Sequence, residues 1–132
     1  MFEAAEREVA RRGIRAERSP FLLLHDMEYG KTHADVEVCI PVNDEGLQDS
    51  GVRLVESVKH AACMRFSGGY EQAPALFDVT LDTLGSNTRI AGPIREVYLR
   101  FGADQRGYKL DPRFVASDVA QFRTELQVPV RP

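Results

Sequence analysis

The 132-residue sequence has only two cysteines, Cys39 and Cys63, and three histidines. The cysteines lie in separate strand-like segments without CxxC spacing. They read as small hydrophobes in a reducing compartment, not as a disulfide framework. The histidines, His25, His33 and His60, lack metal-ligand spacing and no HExxH occurs, so no metal is expected. No GxSxG elbow is present, and no nucleophile has an evident base. The Ser67-Gly68-Gly69 stretch is a faint echo of a phosphate loop, but the GK[ST] signature is missing. An excess of positive charge is lacking too. Seventeen Lys and Arg stand against 20 Asp and Glu, for a net charge of −3. A nucleic-acid-binding domain usually carries a basic stripe, so direct nucleic-acid binding is not expected. The longest apolar runs, Phe21–Leu24 and Val38–Val42 (interrupted by Pro41), fall far short of the roughly 18 residues of a membrane helix. Charge alternates from the N-terminus, which excludes a secretory signal. These absences point to a cytoplasmic domain with no cofactor and no membrane partner.

What is there fits a single α+β domain over residues 1–132. Residues 2–12 read as an amphipathic helix, with Phe2, Ala5 and Val9 on one face and Gly13 at its end. Phe21–Asp26 reads as a buried strand, and residues 28–34 as a hairpin-like connection around Gly30. Asp35–Val42 alternates, with Val36, Val38, Ile40 and Val42 on one face. Val52–Val58 alternates in part, and His60–Phe66 is a strand candidate. Residues 70–84 read as a second helix with Ala73, Leu76, Phe77, Leu81 and Leu84 inward. Pro74 sits in its first turn, where a missing N–H costs little. Ile94–Phe101 and Phe122–Val130 are strands, joined by a long loop with a short helical turn near 116–121.

The halves repeat, as 1–50 and 51–132. Gly13 and Gly85 each close a helix. Pro20-Phe21 and Pro93-Ile94 each open a strand. ADVEVCIPV (34–42) aligns with FRTELQVPV (122–130), placing Glu37 over Glu125 and Pro41-Val42 over Pro129-Val130. The unit is strand–helix–strand–strand, used twice. The first copy lacks its leading strand, since that position would precede Met1. The expectation is an open sheet edge, covered by a second copy as a homodimer or by some other segment. Two such units minus one strand account for the whole length, so no DNA-binding domain is expected within these residues.

Glu96 is the most informative position. In IREVYLRF it alternates onto one face with Tyr98 and Arg100, opposite Val97, Leu99 and Phe101. It reads either as half of a surface ion pair or as a carboxylate beneath an aromatic cavity. The second arrangement would attract a lipophilic cation. Candidate walls are Tyr70, Tyr98, Tyr29, Phe66, Phe21 and Tyr108. In the empty site Glu96 is expected to meet water, or a partner such as a tyrosine hydroxyl, Arg95 or Arg100.

The motifs Gly68-Gly69-Tyr70-Glu71, Pro93-Ile94-Arg95-Glu96-Val97-Tyr98 and Glu125-Leu126-Gln127-Val128-Pro129-Val130 occur in that order. Glu37-Val38-Cys39-Ile40-Pro41-Val42 echoes the last of them. This order resembles the GyrI-like, or effector-binding, domain. That domain is the C-terminal sensor of several AraC- and MerR-type regulators and also occurs free-standing. The resemblance implies a tandem strand–helix–strand–strand fold with a ligand groove between the repeats. It implies that Glu96 is the acidic residue associated with cationic, multidrug-like ligands, and that Tyr70 marks the second helix start. His25 stands where such domains often carry an aromatic residue.

The leading expectation is a binding domain for hydrophobic, cationic or aromatic small molecules. Its site would draw on Glu96, Tyr98, Tyr70, Phe66, Tyr29, His25 and Phe21, none of them catalytic. One alternative is the ligand-sensing module of a transcription regulator whose DNA-binding part lies outside this chain. Another is a hydrolase of strained electrophiles using Glu96 and a tyrosine.

Overall fold

A computed structural model describes residues 2–25, 35–49, 51–85, 87–103, 105 and 108–131. The fold is α+β. The helix α1 (Phe2–Arg12) is followed by β1 (Phe21–Leu24) and β2 (Val36–Cys39). Then come β3 (Ala61–Ser67), α2 (Ala73–Leu84), β4 (Ile94–Arg100) and β5 (Arg123–Pro129). The strands form one antiparallel sheet in the order β2-β1-β4-β5-β3. Three short 3-10 turns begin where Asn43, Asp111 and Asp118 cap a backbone N–H with their side chains. The last, Val119–Gln121, is the short helical turn expected from the sequence. The expected hairpin at 28–34, with Tyr29, lies outside the described residues.

Both helices cover the same face of the sheet. Under α2 lies one apolar cluster, Leu24, Phe66, Ala73, Phe77, Ile94, Leu126 and Val128. Its strand members alternate with outward-facing residues, as a half-buried sheet requires. The N-terminus of α2 is set by a tight turn: Gly68 has φ +100°, a region that favours glycine. The Gln72 side chain then donates to the Ser67 and Gly69 carbonyls, at 2.9 and 3.2 Å. α1 is different. Its sole fully buried side chain is charged, that of Glu6. Beside it a second cluster gathers Tyr98, Phe101, Tyr108 and Leu110, with Phe2, Ala10 and Leu22 against them.

The repeat is visible in the backbone bonds at the strand ends. Ala16 N–H donates to Pro41 O and Asn43 N–H to Ile14 O. Ala91 N–H donates to Pro129 O and Arg131 N–H to Arg89 O in the same pattern. Isolated bridges join Arg15 to Val42 and Ile90 to Val130. Pro41 therefore overlays Pro129, and by continuity Val38 overlays Leu126. Leu22 pairs with Val38 and Glu96 with Leu126, so Leu22 and Glu96 are equivalent. They are also direct cross-strand neighbours. The pseudo-twofold axis thus runs through the Leu22–Glu96 pair. This corrects the match of Phe21 with Ile94. Phe21 pairs with Val97 and Ile94 with Leu24, so the two occupy opposite faces.

Val52–Val58 is not a strand of the sheet. It links β2 at one edge to β3 at the other, over the face opposite the helices. Arg53 binds Glu37 on β2 there, and Arg95 on β4 donates to the Glu56 carbonyl. Leu23, between those strands, is buried beneath it. The outer edge of β2 has no strand partner among the described residues, whereas β5, its counterpart, is paired along β3.

Candidate functional site

The site forms where the two apolar clusters meet. Glu96 and Tyr98 are two residues apart on β4, hence on one face, and both are buried. The Tyr98 hydroxyl hydrogen-bonds the Glu96 carboxylate. Burial, and then the Glu96 charge, push the Tyr98 phenol far above its ordinary range. The same two causes raise the Tyr70 phenol. Both tyrosines therefore remain protonated at neutral pH.

Aromatic rings surround Tyr98. Phe2 meets it edge-to-face at 5.1 Å, and Tyr70 does so at 5.4 Å. Tyr70, 39 % exposed, also stacks on Phe122 at 5.5 Å. The two edge-to-face contacts present positive ring edges to negative ring faces. They bound a cleft of about 270 Å³ lined by Phe2, Tyr70, Tyr98, Phe101 and Tyr108, together with Glu3 and Glu6 of α1. Apolar walls with a few polar groups are the usual constitution of a ligand pocket, and this one is at its small end.

Phe101 reaches the cleft because β4 bulges. Tyr98 pairs with Thr124 and Arg100 with Arg123, so Leu99 is an extra residue. Simple alternation puts Arg100 beside Glu96 and Phe101 opposite. The bulge reverses this, and Arg100 instead donates to the Val115 carbonyl at 2.9 Å. Arg95 lies on the other face too, over the Phe21 ring at 5.4 Å. Arg95 and Arg100 are thus directed elsewhere, and a tyrosine, Tyr98, bonds Glu96.

The remaining sequence candidates fall in three places. Phe66 is in the core under α2. Phe21 shares the opposite face with Arg95. His25 is exposed at the end of β1, its Nε2 3.0 Å from Glu37 Oε1. Tyr70, Tyr98 and Tyr108 line the cleft, whereas Glu96 does not and is tied to it through Tyr98. Sequence reasoning missed Phe2 and Glu6 as wall residues. Their spacing of four on a helix, which places them on one face, was the available signal.

Both cysteines are free, and burial pushes the Cys39 thiol up to about 11. Among the described residues no group of three His, Cys, Asp or Glu side chains could hold a metal. No helix there is long and apolar enough to cross a membrane.

No family model and no curated protein matches the sequence. Solved structures do match. The chain in the cryo-EM structure of the EcmrR-DNA complex in EcmrR-RPo superposes with a TM-score of 0.75 at 22% identity. The match covers 99% of this chain and 47% of that one. The crystal structure of the EcmrR C-terminal domain matches with a TM-score of 0.71 at 22% identity, over 96% of this chain and 77% of that one. This chain therefore spans about half the length of the EcmrR chain seen with DNA. The first match overturns the exclusion of nucleic acid that was drawn from acidity. Net charge sums over a whole chain and says nothing of where a DNA-contacting surface lies, and this fold occurs in a protein solved on DNA. What the likeness establishes is the fold, shared with the EcmrR C-terminal domain.

Proposed function

We propose that the chain is a small-molecule-sensing domain for hydrophobic cationic or aromatic compounds, of the GyrI-like kind that transcription regulators carry. The observation that carries this reading is the cleft between α1 and the start of α2. Its walls are aromatic rings, and its charged lining residues are the carboxylates of Glu3 and Glu6. Glu96 does not line the cleft itself but hydrogen-bonds the lining residue Tyr98. A flat organic cation gains ring contacts, cation–π attraction and carboxylate charge together. The likeness to the EcmrR C-terminal domain supports a sensing role within a regulator. The hydrolytic alternative requires Glu96 to reach a water beside the bound compound, and Glu96 is only 5% exposed.

Fluorescence titration with the cationic dye proflavine, against uncharged acridone, tests the reading. Saturable binding that favours proflavine is expected. Glu96→Gln and Tyr70→Ala should each weaken it by about 1–2 kcal/mol, the scale of a charged or well-packed contact. No saturable binding, or equal affinity in wild type and both variants, would overturn it.

A further inference from the structure

We infer that Glu6 is a second charge-reading carboxylate of the cleft, held in reserve by Arg15. The inference rests on the sensing function proposed above and adds a residue that determines specificity. Glu6 is 3% exposed, lines the cleft, and is the sole fully buried side chain of α1. A buried carboxylate without compensation is strongly disfavoured. Arg15 compensates it with two parallel bonds, Nε to Oε2 at 2.8 Å and Nη2 to Oε1 at 3.0 Å.

The asymmetry of this pair points to exchange rather than to a fixed strut. Arg15 has other acceptors. Its Nη1 donates to the Ala16 carbonyl and, at 3.0 Å, to the Arg18 carbonyl. If Glu6 turns away, the guanidinium keeps those bonds and its 14% exposed edge to water. Glu6 is positioned to turn, since its neighbours on the same wall are the aromatic rings where a cation would lie. An incoming organic cation therefore competes with Arg15 for Glu6. A compound whose charge lies on an N–H-bearing, amidine-like or aminoaromatic group reproduces the two bonds that Arg15 gives up. One with a shielded quaternary charge does not.

The exchange predicts effects of opposite sign. Arg15→Lys keeps the positive charge but loses the rigid two-pronged geometry, so it holds Glu6 less firmly. It should bind proflavine severalfold more tightly than wild type does. Glu6→Gln should bind proflavine about tenfold more weakly and lose much of its preference over acridone. The double variant Glu6→Gln/Arg15→Lys should match Glu6→Gln, because the arginine acts through the carboxylate. If the pair is only a strut for α1, Arg15→Lys will bind no more tightly than wild type, and the inference falls. Should Glu6→Gln fail to fold, Arg15→Lys alone still decides between these outcomes. Failure of wild type to bind proflavine at all would instead remove the sensing function itself.

Discussion

The two repeats share a backbone plan and differ in what they do with it. At the axis, the second repeat places Glu96 where the first places Leu22. Under α2, the second repeat buries Phe77 and Ala73 on an apolar core. Under α1, the first buries a carboxylate and leaves a cleft. The cleft opens beneath the first helix, with walls drawn from both repeats, and the apolar core closes beneath the second. Internal symmetry gives two copies of a scaffold, so one helix can seal a core while its counterpart leaves room for a cleft.

The largest expected effect tests that division directly. Phe77→Ala removes a ring from the main core and should cost about 3–5 kcal/mol in urea unfolding. Phe2→Ala, in the first helix, should cost well under half as much and should weaken dye binding. Equal losses would erase the contrast. Next, Glu96→Leu makes the axis pair apolar on both sides. Replacing a buried charge in its polar network by a packed hydrophobe is often neutral or stabilising by about 1–4 kcal/mol. A more stable protein that no longer prefers proflavine is expected, and a clear loss of stability would show that Glu96 serves the fold. Gly68→Ala, at φ +100°, should then cost roughly 1 kcal/mol and disturb Tyr70 at the start of α2.

The smallest effect compares Glu37 with Glu125, which occupy equivalent positions. Contact with Arg53, and then with His25, holds the Glu37 carboxyl below its usual range. Gln127 first, and then Arg65, do the same for Glu125. A lowered folded-state pKa adds stability that is present above the ordinary carboxylate range and lost as the pH falls through the lowered value. Both pairs reach solvent, so each is worth under about 1 kcal/mol. Glu37→Gln and Glu125→Gln should each flatten the acid side of a stability–pH curve slightly and equally. Arg65 comes from β3, which the first repeat lacks. Arg53 comes from the crossing segment Val52–Val58, which provides the arginine without providing a strand.

Much of the plan was legible in the residues. Alternation found Val36–Val38 and Leu126–Val128, and Pro41 and Pro129 aligned because the same backbone bonds close both strands. The α2 face was read nearly whole, lacking only Thr80, whose hydroxyl is satisfied by the Leu76 carbonyl at 2.8 Å. Tyr70, Tyr98 and Glu96 were legible as a group. Three features were not. Val52–Val58 has a strand's pattern, but a connection from one sheet edge to the other has no neighbour to pair with. Glu6 was not singled out, since its partner Arg15 lies nine positions away across the end of the helix. The bulge at Leu99 follows from pairing with β5, so no local pattern in β4 announces it.

That single extra residue makes the chemistry of the cleft depend on chain length as well as on side-chain identity. Deleting Leu99 would restore plain alternation and bring Arg100 to the face that Phe101 now occupies. The wall proposed to attract cations would then hold an arginine near Glu3 and Glu6 and lose much of its acidic character, with no residue exchanged for another. On the proposed function, relatives that differ here by one insertion or deletion are expected to differ in how strongly they prefer a charged ligand, a distinction that comparing aligned side chains alone would overlook.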